Sequence, residues 1–315
     1  MMNVLVTGGA GFIGSNLSAE LARLGHTVTV VDNLSSARTD HEQFFKSHSD
    51  IELFEGCFAS EPILSRVSSG EFDVVFHVAA LPRVSYSVEY PGDTTEENVA
   101  KTVRLLEACR GSVRRFIFSS SSSVYGGAEV LPTPPSHPKD PRSPYAWQKS
   151  CIEDLIRLFC SLYGMDAVCL RYFNVFGPGQ FGDSPYSTAV SAWCHAIKHG
   201  LPLRSDGTGE QTRDMCYIDN VVSANILAMN YDSRFSGQCL NVACESRVSN
   251  NEILAALSEK FDFKVNHAPP RPGDVMHTLA DIRETKWFLG YEPLVHFWEG
   301  LEKTIEWWGL EQSSD

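Results

Sequence analysis

The chain has 315 residues, 43% hydrophobic and 21% charged, enough to bury a sizeable core and ordinary for a soluble globular protein. Its net charge of −13 argues against non-specific nucleic-acid binding, although a few local arginines can still hold an anionic small molecule. No apolar run approaches the roughly 20 residues needed to cross a bilayer.

Residues 2–7 read directly as a strand, without the basic region of a signal peptide. Gly8-Gly9-Ala10-Gly11-Phe12-Ile13-Gly14 follows, then a helical pattern over 15–25. Residues 26–32 form a second strand pattern ending in Asp32. Further strands are expected over 72–78, 115–119 and 167–172, alternating with helices near 96–109 and 145–163. Such alternation predicts an α/β fold with a Rossmann-like, doubly wound parallel sheet. After Gly177-Pro178-Gly179 the pattern is less regular, and Pro269-Pro270-Arg271-Pro272-Gly273-Asp274 reads as a loop. The expected division is a dinucleotide-binding domain over 1–176 with a return near 210–245, and a smaller, discontinuous C-terminal substrate-binding domain over 177–315. The last helix, 294–309, carries Trp298, Leu301, Ile305 and Trp308 as a stripe expected to pack into the core. The nine cysteines lack Cys-x-x-Cys spacing and the ten histidines lack ligand spacing, so reduced, cytosolic thiols and no metal are expected.

Gly8, Gly11 and Gly14 lie between a strand and a helix. Glycines there permit a tight turn, close approach of backbone to a pyrophosphate and close helix packing. Asp32, 18 residues beyond Gly14, is placed to accept hydrogen bonds from ribose hydroxyls and to repel a 2′-phosphate, which favours NAD over NADP. Arg38, nearby, bears on the same choice.

Ser143-Pro144-Tyr145-Ala146-Trp147-Gln148-Lys149 puts a phenol and an ammonium on one helix face. Ser143 suits the N-cap and Pro144 the first helical position. A phenol in that first turn is expected to be shifted toward phenolate by the helix end and the lysine. Alone, the pair is better read as a plain solvated helix face. A serine run, Ser119-Ser120-Ser121-Ser122-Ser123-Val124-Tyr125-Gly126, follows the strand at 115–119, at the end where ligands bind in such sheets.

Taken together, these motifs resemble the extended short-chain dehydrogenase/reductase family, specifically its NAD-dependent nucleotide-sugar epimerases and dehydratases. The resemblance runs through His77-Val78-Ala79-Ala80, Arg171-Tyr172-Phe173-Asn174-Val175-Phe176-Gly177-Pro178, Gln211-Thr212-Arg213-Asp214 and Arg271-Pro272-Gly273-Asp274-Val275. It implies Tyr145 as the base, Lys149 on the nicotinamide ribose and Ser121 as the partner hydroxyl. It implies cofactor contacts at Gly8, Gly11, Phe12, Ile13, Gly14, Asp32, Asn33, Cys57, Phe58, Ala79, Ala80 and Asn98. It implies substrate contacts at Ser121, Ser122, Ser123, Asn174, Arg213, Arg271 and Asp274, with Arg83 as a further basic residue after a strand end. It also implies a homodimer formed through the helices near 96–109 and 145–163. On the latter, Ile152, Leu155, Ile156 and Phe159 fit either an interface or the core. The chain departs from the family at Gly56-Cys57-Phe58, where Gly-Asp is usual, at Gly207-Thr208-Gly209, and at Met276, where an arginine is usual.

Dehydratases and decarboxylases of this family carry acids after the catalytic hydroxyl. Here those places hold Ser122 and Ser123, so proton shuttling at C5 and C6 lacks an agent. What remains is reversible oxidation at C4, the chemistry of a UDP-sugar 4-epimerase. Thr278 falls where glucose-restricted members can carry a tyrosine, and its small size points to UDP-GlcNAc and UDP-GalNAc. A dehydratase with an acid from elsewhere, and a non-catalytic NAD-binding sensor, are the competing expectations.

Overall fold

The computed structural model describes residues 1–38, 40–182, 187–270 and 275–310. The first half alternates β1 (Asn3–Thr7), α1 (Phe12–Arg23), β2 (Thr27–Asp32), α2 (His41–Ser47) and β3 (Ile51–Glu55). It continues with α3 (Glu61–Ser68), β4 (Val74–His77), α4 (Val84–Glu89) and α5 (Pro91–Thr95). A π-helical turn, Glu96–Ala100, leads into α6 (Lys101–Cys109) and β5 (Arg115–Ser121). A short 3-10 turn, Ser122–Tyr125, precedes α7 (Pro144–Tyr163) and β6 (Ala167–Tyr172).

The second half holds β7 (Val175–Phe176), α8 (Ala189–Lys198), β8 (Leu203–Asp206), β9 (Thr212–Asp214) and β10 (Cys216–Tyr217). Then come α9 (Ile218–Asn230), β11 (Gln238–Val242), β12 (Arg247–Ser249), α10 (Asn250–Ser258) and β13 (Val265–Ala268). The last two helices are α11 (Arg283–Leu289) and α12 (Phe297–Trp308).

Seven strands form one parallel sheet in the order β11-β6-β5-β4-β1-β2-β3. Both faces are covered, which explains why the strands read as continuous apolar runs. Successive side chains still point to opposite faces. Val4, Val6, Val28, Val30, Val74 and Phe76 join one core cluster with Leu17 and Leu21 of α1 and Val221 of α9. Leu5, Val31 and Val75 join the other, with Ile63 of α3, Leu105 of α6 and Ile152 and Ile156 of α7. The strand order turns back between β1 and β4, and the crevice beyond their carboxyl ends is where such sheets take ligands.

Smaller strand pairs, β8 with β13, β9 with β12 and β7 with β10, lie outside the main sheet. The β9 pair is tied to it through Asp214, whose wholly buried carboxylate accepts from the amides of Cys244, just after β11, and Ala280, both at 3.0 Å. Burial pushes that carboxyl up to about 7.

The stripe expected on the last helix needs one correction. Leu301, Ile305 and Trp308 are buried, but Trp298 is 49% exposed and Phe297 takes the core position instead. The helix begins at Phe297 rather than near 294, and its inward face is set by residues 297, 301, 304, 305 and 308.

At the end of β4, His77 is fully buried and bridges two elements. Its Nδ1 lies 2.7 Å from Thr7 Oγ1 and its Nε2 2.8 Å from Thr102 Oγ1. Burial, with Lys149 nearby, pulls this imidazole from 6.5 down to about 3, so it stays neutral. Below pH 6.5 the unfolded chain takes up a proton that the folded protein refuses, so stability falls as pH falls. At pH 5 this loss is about 2 kcal/mol. Urea unfolding at pH 7 and pH 5 should show it, and His77→Gln should remove that part of the pH dependence.

Candidate active site

One cavity of about 1380 Å³ runs along the carboxyl ends of the strands, larger than a single small-molecule pocket. Its cofactor half is built from the turn after β1. Gly8 takes φ +70, and its amide donates to Val31 O at 2.8 Å. A Cβ at Gly8 would stand 2.7 Å from the Ala79 backbone, and one at Gly14 only 2.2 Å from Gly8 O. Two glycines are therefore required simply to fold the turn. Gly11 caps α1 without any side-chain cap, leaving the first amides of that helix to face an anion at the cavity wall.

Asp32 sits at the end of β2. Its carboxylate accepts from Ala10 N at 3.0 Å and Leu34 N at 2.8 Å, and it lines the cavity. Arg38, by contrast, is 8% exposed and its guanidinium is engaged elsewhere. It pairs with Asp40, reaches Ser15 Oγ at 3.3 Å and lies 4.8 Å over the Phe44 ring. The cation that would favour a 2′-phosphate is thus withdrawn, and the turn, the open helix end and Asp32 fit NAD. Phe12, Ile13, Asn33, Cys57, Phe58, Ala79 and Ala80 line the same cavity.

Asn98 does not. Its Nδ2 donates to Leu81 O at 3.2 Å and Gln148 Oε1 at 2.8 Å, and its Oδ1 accepts from Leu81 N at 2.7 Å. It latches the loop after β4 to α7, a structural position rather than the cofactor contact expected from sequence.

The second half is carried by α7. Ser143 is its N-cap, accepting from Ala146 N at 3.1 Å, and Pro144 is its first residue. Tyr145 therefore stands in the first turn, with its amide held by Ser87 Oγ at 3.1 Å. Tyr145 and Lys149 both face the cavity. The expectation of a lowered phenol is corrected: burial pushes Tyr145 up to about 12, and hydrogen bonding with Ser121 offsets part of that. Lys149 Nζ donates to Ser119 O at 2.7 Å and lies 5.9 Å from the centre of the Tyr145 ring. Burial, partly offset by Glu153, pulls Lys149 down to about 8.

Ser121 also accepts from Ser123 N at 3.2 Å, which starts the 3-10 turn. Ser119 and Ser120 line the cavity, and Ser121, Ser122 and Ser123, all half-buried, follow directly after them. The Ser123 hydroxyl is buried without a partner among the described residues.

Asn174, Arg83 and Arg213 line the substrate side. Asn174 holds φ +34, and its Nδ2 donates to Asp214 O at 2.9 Å and Thr278 Oγ1 at 3.2 Å. Thr278 Oγ1 also accepts from Asp214 N at 3.1 Å. Thr278 thus lies behind Asn174 instead of on the cavity wall, which corrects its expected position. Arg271 and Asp274 lie outside the described residues. Gln180, Trp193, Arg204 and Asp206 line this half too, from a stretch whose irregular pattern gave no site signal. Arg204 pairs with Asp206 at 2.8 Å.

Gly14→Ala should open the turn and strip the dinucleotide. Nucleotide released on denaturing the purified variant, measured by chromatography, should fall at least about tenfold below wild type. Full retention would mean that the turn does not hold the cofactor.

Residues 4–243 match the model of the NAD dependent epimerase/dehydratase family. A UDP-glucose 4-epimerase of Mycolicibacterium smegmatis is 33% identical, covering 97% of this chain and 98% of that protein. The crystal structure of a UDP-glucose 4-epimerase from Thermotoga maritima, with UDP-glucose, superposes with a TM-score of 0.91 at 34% identity, covering 98% of this chain and 99% of that one. A UDP-N-acetylglucosamine 4-epimerase from Methanobrevibacter ruminantium, in complex with UDP-N-acetylmuramic acid, gives 0.89 at 35% identity, covering 97% of each. With the glycine turn, Asp32 and the Tyr145–Lys149 helix in one cavity, the match places the chain in the NAD-dependent epimerase/dehydratase family.

Proposed function

We propose that the protein is a UDP-sugar 4-epimerase that interconverts UDP-GlcNAc and UDP-GalNAc, and also accepts UDP-Glc and UDP-Gal. The observation that carries this reading is the meeting of Tyr145, Lys149 and Ser121 at the end of β5, beside the glycine turn and without an acid at positions 122 and 123.

Bound NAD would supply the hydride acceptor at C4 and return the hydride to either face of the sugar. The chain's own residues handle the proton and the orientation. Tyr145 takes the proton of the C4 hydroxyl and later gives it back, so the sugar passes through a 4-keto form. Ser121 hydrogen-bonds that phenol and steadies the C4 oxygen. Lys149, fixed by Ser119 O, contributes the positive charge that a phenol raised to about 12 needs to act as a base near neutrality. Arg213, with Arg271, holds the diphosphate, and Arg83 lines the sugar site. Asn174 faces the sugar and Asp274 the uridine ribose.

Thr278 supports the N-acetylated substrate indirectly. Its hydroxyl fixes Asn174, which lines the cavity, and a tyrosine in its place would push Asn174 into the space for a 2-acetamido group. Thr278→Tyr should lower turnover of UDP-GlcNAc at least about tenfold more than that of UDP-Glc. Equal loss on both refutes this size reading. A second reading, a UDP-uronate, draws on the buried, unpartnered Ser123 hydroxyl beside Ser121 and Ser122, a donor set suited to a C6 carboxylate. Offering UDP-GlcNAc, UDP-Glc and UDP-glucuronate in parallel decides between them. Mass spectrometry of the products separates epimerisation, with unchanged mass, from loss of water, a product about 18 mass units lighter. Retained turnover by Tyr145→Phe would refute the assignment of the base.

The proposal includes a homodimer through α7. Ile152 and Ile156 belong to the core, but Leu158, Leu162 and Trp147 are 52%, 67% and 49% exposed on the same helix. Light scattering should give about twice the chain mass of 34.9 kDa, and Leu158→Glu with Leu162→Glu should return it to one chain.

A further inference from the structure

Three successive serines at the end of β5 are each tied to a different group on α7. The Ser119 carbonyl accepts from Lys149 Nζ at 2.7 Å. The Ser120 hydroxyl donates to Glu153 Oε1 at 2.6 Å. The Ser121 hydroxyl meets Tyr145. Residues 145, 149 and 153 are spaced by four, so a single helix face meets all three serines.

Glu153 is 2% exposed. Arg171, 3% exposed, grips its carboxylate with both arms: Nε to Oε1 at 2.8 Å and Nη2 to Oε2 at 2.7 Å. Lys139 Nζ stands 3.6 Å from Oε2. Arg171 Nη1 also donates to Tyr125 OH and Pro135 O, both at 2.8 Å, and Tyr125 OH donates to Asn241 Oδ1 at 2.6 Å. A buried ion pair is a poor source of stability, because apolar side chains of the same size often serve as well. Its location is what distinguishes it: one turn beyond Lys149, and bonded to the residue before Ser121.

We propose that Glu153 is a positioning residue for the reaction: it clamps Ser120, and so the strand end carrying Ser121, onto the helix of Tyr145 and Lys149, and it is the counter-charge that keeps Lys149 an ammonium. The titratable groups facing Lys149 are Tyr145 and Glu153 on its own helix, His77 on β4 and Cys169 on β6. Arg171 and Lys139 stand behind Glu153. His77 is held neutral, and burial raises both the Cys169 thiol and the Tyr145 phenol. Glu153, gripped by the Arg171 guanidinium, is therefore the carboxylate of this set. With its charge removed, Arg171 would face Lys149 unbalanced, while Lys139 keeps Asp154 at 2.8 Å, and the ammonium would lose its proton at lower pH.

This rests on the epimerase reading above. The test uses full-length, NAD-loaded protein as wild type, Ser120→Ala, Glu153→Gln and Glu153→Asp. Turnover of the accepted UDP-sugar is followed against pH. The Lys149 side chain is titrated separately by carbon NMR of labelled lysine, assigned with Lys149→Arg. Ser120→Ala should stay folded at the assay temperature and keep its KM while kcat falls about tenfold. Glu153→Gln should move the Lys149 midpoint, and the alkaline limb of kcat with it, down by about one pH unit, and Glu153→Asp should bring both back. Wild-type kcat in Ser120→Ala, or an unmoved Lys149 midpoint in Glu153→Gln, overturns the inference. If Glu153→Gln does not fold, Ser120→Ala decides alone. Wild type inactive on every UDP-sugar refutes the epimerase reading instead, and the NMR titration still decides the role of Glu153.

Discussion

Everything that the cavity does depends on how α7 lies against the end of β5. Lys149 reaches across that contact to Ser119 O at 2.7 Å, with 4% of its surface exposed. An ammonium is buried there because a carbonyl accepts from it and a carboxylate lies one turn away; without them its desolvation would be prohibitive. The same contact fixes the first turn of the helix, and the first turn carries Tyr145. The pairing of β5 with β4 ends at Phe118 while its pairing with β6 continues to Ser121, and α7 anchors on the serines of that one-sided stretch.

The substrate side is organised by a different constraint. Asp214 is a buried carboxyl in β9 that gathers the amides of Cys244 and Ala280 from distant parts of the chain. Its own carbonyl and amide then engage Asn174 and Thr278. Asn174 is held in a left-handed conformation, φ +34, that a non-glycine residue adopts at a cost of about 1–3 kcal/mol. The surrounding bonds overdetermine it. Such strain is tolerated where a side chain must point one way, and here it lies on the wall of the cavity.

The sequence was most legible where the cause was local. Ser143 and Pro144 announce the start of α7 because capping and fixed φ act within one turn. The glycine turn and Asp32 are legible because a strand, a turn and a helix set their spacing. Asn98 and Thr278 were misplaced because their partners, Gln148 and Asn174, lie 50 and 104 residues away. Trp298 was misassigned by one position because two neighbouring aromatics, Phe297 and Trp298, fit the same periodicity and only packing chooses between them. The Tyr145 phenol was misjudged because the helix end and the lysine are visible in sequence, whereas burial, which outweighs them, is a property of the assembled cavity. Glu153 stood in view, four residues after Lys149, but Ser120 and Arg171 had to be brought to it before it meant anything.

β11 has a consequence for how the chain must come together. It pairs in parallel with β6 along its whole length, from Gln238 against Val168 to Val242 against Tyr172, yet about 65 residues separate the two strands. Until that late segment arrives, β6 is the rim of the sheet, buried residue for residue in the finished protein and apolar enough to recruit a strand from another chain. Pairing of such large sequence separation is among the slower contacts to form, and β6 has no partner on that side until it does. The order in which this protein is made therefore carries a hazard: the dinucleotide half can assemble early, but it is protected from its neighbours only after the chain has detoured through α8, β8 and α9 and come back.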